Sequence, residues 1–120
     1  MTAELFKKRT KNLALRCGEF VDQLPIRKSL DIYGRQLIRS SSSVGANYWA
    51  VCRAKSQADM INKLKIVEEA DETLYWLELI EESSHITNNE LLNFLKKEAD
   101  EILSMVISSI KTLRAKNKNL

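Results

Sequence analysis

The sequence predicts an all-α fold, an antiparallel up-down four-helix bundle. Three observations carry that reading. Apolar residues recur in alternating steps of three and four along four separate segments. Glycine occurs three times and proline once in 120 residues, too little turn material for a β-rich domain. Apolar residues make up 44% of the chain and charged residues 29%, the balance of a globular chain with one core.

The first helix, about residues 4–24, carries Phe6, Leu13, Cys17, Phe20 and Leu24 on one face, with Thr10 in the remaining slot. Pro25 then interrupts, because proline lacks a backbone donor but fits a first helical turn. The second helix spans about 26–53 with the seam Leu30, Gly34, Leu37, Ser41, Val44, Tyr48 and Val51. Gly34 and Ser41 are small enough for a neighbouring helix to come close. The serine run Ser40–Ser43 has linker composition, yet the apolar period passes through it unbroken, so it is read as helix.

Ser56 and Asp59 form an acidic variant of the capping box, opening a third helix over about 57–82. Its core candidates are Met60, Leu64, Val67, Ala70, Leu74, Leu77 and Ile80, with Asp71 close to the same face. A second capping box, Thr87 with Glu90, starts the fourth helix, about 88–116. That helix carries Leu92, Leu95, Ala99, Ile102, Val106, Ile110 and Leu113 and ends in a polar tail expected to fray. The helices are about 30–42 Å long at 1.5 Å per residue, and short connections force neighbours side by side. The whole chain, residues 1–120, reads as one domain.

The net charge of +3 is unevenly spread. Residues 25–55 carry six basic and one acidic side chain, whereas residues 56–84 carry two basic and eight acidic. This asymmetry fits either pairing between subunits or a polyanion footprint beside an acidic face. Cys17 and Cys52 fall at apolar helical positions without ligand spacing and read as buried, reduced thiols. The start of the chain lacks an apolar signal core, and no apolar run approaches membrane-spanning length, so a cytoplasmic protein with no membrane contact is expected.

Several segments carry a further signal. They are Leu24-Pro25, QLIRSSSSVGANY from Gln36 to Tyr48, KSQADMINKLKI from Lys55 to Ile66, and EADETLYWLELI from Glu69 to Ile80. Together they resemble the four-helix-bundle proteins encoded in intervening sequences of bacterial 23S ribosomal RNA genes. The resemblance implies a left-handed bundle that assembles as a homopentameric ring. It also implies kinship with the small basic accessory proteins of diversity-generating retroelements, which partner a reverse transcriptase and bind nucleic acid. Two positions depart from the family's pattern: Ala50 stands where glutamate is usual and Glu68 where lysine is common.

Three groups of residues are candidates for function. Ser43 and Asn47 on the second helix, with Glu69 and Glu72 on the third, form a polar cluster. Asn47 is expected to hydrogen-bond a carboxylate there and fix helical register. Lys28, Arg35, Arg39 and Arg53 follow one face of the second helix, Lys7, Lys8, Arg9 and Lys11 cluster on the first, and Lys111, Arg114, Lys116 and Lys118 close the chain. This basic surface suits phosphate contact that tolerates any sequence of RNA or DNA. Its bland alternative is a solvated face or intersubunit ion pairs. Trp49, Tyr75 and Trp76 lie off the seams and read as oligomer contacts, with base stacking as the rival. His85 lies alone in a loop, and no nucleophile or metal spacing accompanies the carboxylates, so no cofactor, metal or catalysis is expected. An enzyme using Glu69 and Glu72, and a module binding only another protein such as a polymerase, remain the competing classes.

Overall fold

The computed structural model describes residues 2–67, 69–86 and 89–118. Five helices follow one another: α1 (Ala3–Asp22), α2 (Lys28–Val51), α3 (Gln57–Val67), α4 (Ala70–Ser84) and α5 (Glu90–Lys118). No strand occurs among the described residues. Both α3 and α4 pack between α2 and α5, and α1 closes the square between α5 and α2. Together, α3 and α4 thus fill the third position of a four-helix bundle that forms a rod 53 Å long and about 20 Å wide.

Local chemistry sets each boundary. Thr2 caps α1 by accepting the Leu5 N–H at 3.1 Å. α1 buries Phe6, Thr10, Leu13, Cys17 and Phe20, as the spacing requires. α2 begins at Lys28, later than expected, because Pro25 sits ahead of the first turn and Arg27 is still extended. The serine run is helical, and Ser40 and Ser41 are fully buried with their hydroxyls donating to the Leu37 and Ile38 carbonyls. Gly34 suits a crowded spot: a Cβ there would sit 3.0 Å from Val21 Cγ1 and push that side chain aside. At Gly45 α2 lies close to the Thr10 carbonyl of α1, where a Cβ would stand at an ordinary contact distance of 3.4 Å.

The third helix departs from expectation by breaking after Val67. Glu69 forms tight backbone bonds on either side, accepting from Glu72 at 2.9 Å and donating to Ile66 at 3.0 Å. The buried residues explain why. Ile61, Leu64, Val67, Ala70 and Thr73 are spaced by threes, which suits a turn of 3.0 residues and would drift off one face of a continuous α-helix. Hence Met60 and Leu74, expected in the core, are only partly buried, and Ile61 and Thr73 take the sealed positions.

Ser56 caps α3 as expected, accepting the Asp59 N–H at 3.1 Å, while Asp59 accepts the Lys55 N–H and the Lys63 ammonium, each at 3.0 Å. The Lys55 bond first, then Lys63, holds the Asp59 carboxyl below the usual range. A depressed carboxyl stabilises the fold above its unfolded pKa and loses that contribution as pH falls through the folded value. NMR titration of Asp59 should therefore show a midpoint below that of an unperturbed aspartate, with the α3 amide signals shifting in step.

At the start of α5 the expected box falls on Thr87, outside the described residues. Asn89 supplies the cap, accepting the Leu92 N–H at 2.8 Å. The polar tail stays helical through Lys118. His85 ends α4 in the left-handed region at φ 56°, a conformation glycine adopts without a Cβ penalty. His85→Gly should raise stability by up to about 1 kcal/mol in a denaturant titration.

Candidate nucleic-acid interface

The polar cluster forms, with a different wiring. Asn47 Nδ2 donates to the Ser43 carbonyl at 2.8 Å and to Ser43 Oγ at 2.9 Å, and Ser43 Oγ donates to Glu69 Oε2 at 3.4 Å. Asn47 thus reaches a carboxylate only through Ser43, since the acceptor one turn back on its own helix is nearer. Glu72 turns the other way, pairing with Arg39 and accepting from Trp76 Nε1 at 3.1 Å. The buried polar link between α2 and α4 is instead Thr73 Oγ1 donating to Ser40 Oγ at 3.1 Å. No group of three or more His, Cys, Asp or Glu placed to hold a metal occurs among the described residues.

The structure divides the basic residues. Arg9 points inward, its Nε and Nη2 each 2.7 Å from a Glu98 carboxylate oxygen, and also meets Glu101. Arg39 is engaged by Glu72 and by Gln36 at 2.9 Å, and Arg35 by Asp31 at 3.0 Å. Lys7 lies 3.7 Å from Glu4 and 4.9 Å above the Trp49 ring. Arg53 falls beyond the end of α2, off the stripe it was expected to join. Lys8, Lys11, Lys28 and Arg53 are exposed.

A different grouping emerges from the topology. The start of α1, the end of α2, the start of α3 and the end of α5 converge at one end of the rod. Ala3, Cys52, Met60 and Leu113 there line one groove of about 560 Å³. Lys8, Arg53, Lys55, Lys111, Arg114 and Lys116 are all exposed toward this end. The acidic groups nearby, Glu4 and Asp59, are held by Lys7 and Lys63. The Lys118 side chain lies outside the described residues. Sequence reasoning leaves Lys55 unassigned; its place in the α2–α3 connection is the available signal. The opposite end mixes Asp22, Glu82 and Glu90 with Arg27 and Lys28.

Cys52 is exposed at the basic end, contrary to expectation, because α2 has ended there. Cys17 is sealed, and burial pushes its thiol up to about 12. Cys52 should therefore react with a thiol reagent in the folded protein and Cys17 only on unfolding, which a timed titration of free thiols checks.

The three aromatics do not form one patch. Trp49 is 41% exposed on the face between α1 and α2. Tyr75 is 57% exposed on α4, edge-on to Trp76 with centroids 5.0 Å apart. Trp76 belongs to the chain's own packing, stacked on Tyr33 at 6.1 Å. No helix among the described residues is long and apolar enough to cross a membrane.

A family model described as 23S rRNA-intervening sequence protein matches residues 5–108. The chain belongs to that family. A crystal structure from Bacteroides thetaiotaomicron, described as a protein of unknown function from the S23 ribosomal protein family, is similar at 35% identity and TM-score 0.80. The match covers 92% of this chain and 99% of the other. No curated protein matches. The structural similarity to this neighbour agrees with the fold described above.

Proposed function

We propose that the protein works without catalysis, as a self-assembling helical bundle whose basic end holds nucleic-acid phosphate in the bacterial cytoplasm. The observation that carries this reading is the convergence of basic side chains from α1, the α2–α3 connection and α5 on one end of the rod. Lysines and arginines spread over one end neutralise phosphates whatever the bases, so the binding proposed is electrostatic and tolerant of sequence. Self-association, as the pentameric ring the resemblance implies, would repeat each modest patch and raise avidity.

The test is fluorescence anisotropy with a structured RNA over a salt series. Arg53→Glu, Lys111→Glu and Arg114→Glu together should weaken binding at least about tenfold at low salt and flatten the salt slope, by roughly 0.7–0.9 per lost phosphate contact. Equal binding by the triple variant, with helical content intact, overturns the reading. A second reading is an accessory module for a polymerase- or reverse-transcriptase-like protein. It is favoured by the exposed apolar side chains Leu15, Ile32 and Ile66. Complex formation with a purified partner of that class that survives nuclease treatment would support it.

A further inference from the structure

Two faces of the bundle correspond in charge and spacing. The first is the outward groove between α1 and α2. Its floor is made of small residues, Ala14, Ser42, Gly45 and Ala46, which with Lys11 and Trp49 line a slot of about 300 Å³. Further along, a Cβ added to Gly18 would meet nothing within 4 Å, and Ile38 is 40% exposed. Lys11 and Arg35 flank this floor, Arg35 carrying Asp31 with it. The second face is the outward ridge of α4. Asp71, Tyr75, Glu78 and Glu82 are exposed at steps of four, three and four, one stripe of a helix. α4 contains five carboxylates and no basic residue.

The axial positions of these groups are fixed by the buried Ser40–Thr73 hydrogen bond, which sets those two residues at one level. α2 and α4 run in opposite directions, and each rises 1.5 Å per residue. Counting outward from that bond, Asp71 stands level with Ser42, Tyr75 with Ile38, and Glu78 with Arg35. The closeness of Gly45 to Thr10 similarly places Lys11 beside Val44, within one turn of the Asp71 level. The ridge therefore presents acid, aromatic, acid, acid, while the groove at the same heights presents a small floor beside Lys11, then an apolar side chain, then Arg35, then Asp31, whose charge Arg35 already offsets at 3.0 Å. The facing charges are complementary at the Asp71 and Glu78 levels and alike at the Glu82 level.

We infer that the α1–α2 groove of one copy receives the α4 ridge of a second copy, side by side and without axial shift. The inference rests on the self-assembly proposed above and names the two surfaces that make it. The contact is head-to-tail, because groove against groove would oppose Lys11 and Arg35 to themselves and ridge against ridge would oppose carboxylates. A heterologous contact of this kind closes into a ring or runs on as a filament. Its parallel geometry turns every basic end the same way, leaving Arg53, Lys111 and Arg114 outside the contact.

The test starts with sedimentation equilibrium of the wild-type chain. Ser42→Cys and Asp71→Cys are then made separately in a Cys52→Ser background, both at exposed positions, and treated with a short bis-maleimide. Co-expression of the two variants should give a cross-linked two-chain product that neither variant gives alone. Cross-linking by either variant alone would show a two-fold symmetric contact and overturn the head-to-tail arrangement. A wild-type oligomer whose co-expressed variants yield no product joining the two introduced thiols, with each variant's helical content intact, overturns the surfaces named here. A monomeric wild type removes the self-assembly on which the inference stands.

Discussion

Phe20→Ala lowers stability by about 3–5 kcal/mol, the largest loss expected from any single truncation in this chain. Phe20 is the largest of the fully sealed side chains among the described residues and sits 1% exposed in the hydrophobic core. Removing the ring forfeits its transfer free energy and leaves a void that rigid helices on every side cannot close. A domain of this size is stable by only about 5–15 kcal/mol, so the variant's thermal midpoint should fall by about 10 °C or more. Circular dichroism against temperature reads it directly. A drop of only a few degrees would mean that the α1–α2 end repacks far more freely than the sealed cluster implies.

The second large effect is electrostatic. Arg9→Leu removes the cation that meets Glu98, whose side chain is 10% exposed, and releases Glu101 as well. A carboxylate left unpaired in such a place is costly, and we expect a loss of about 2–4 kcal/mol. That falls below the cost for a fully dry pair, since Arg9 itself keeps 20% of its surface in water. Arg9→Leu with Glu98→Leu should recover most of the loss, because two apolar side chains of suitable volume replace the pair without stranding a charge. Chemical denaturation of both single variants and the double closes the cycle. Additive losses would show that the pair contributes through packing alone.

These two residues also show what is legible in the sequence. Spacing alone places Phe20 in the core, and α1, α2 and α5 bury nearly the set their three-four rhythm marks, because those helices are regular. In the third helix the same rhythm misleads at Met60, Ile61, Thr73 and Leu74. There the buried residues step by threes, a rhythm that a regular α-helix cannot keep, and the chain answers with a tight turn at Glu69. Arg9 groups with Lys7, Lys8 and Lys11 on paper because all four are basic and close in sequence. One step along a helix turns a side chain by about 100°, so Lys8 faces water and Arg9 faces α5. Only the partner helix, carrying Glu98 and Glu101, decides that. The Ser40–Thr73 bond is hidden for the same reason, since a hydroxyl in a seam reveals nothing of the hydroxyl it will meet.

The convergence of the α1 start and the α5 end on one end of the rod has a practical consequence. A purification tag or fluorescent protein joined ahead of α1 or after α5 would stand beside Lys8, Arg53 and Arg114. It would hinder a large polyanion, and an acidic tag would compete with it outright. The connection between α1 and α2 is the better place for a label. It lies at the far end of the rod, and the Ile26 side chain there is fully exposed. A dye attached at that position reports on binding without standing in its way.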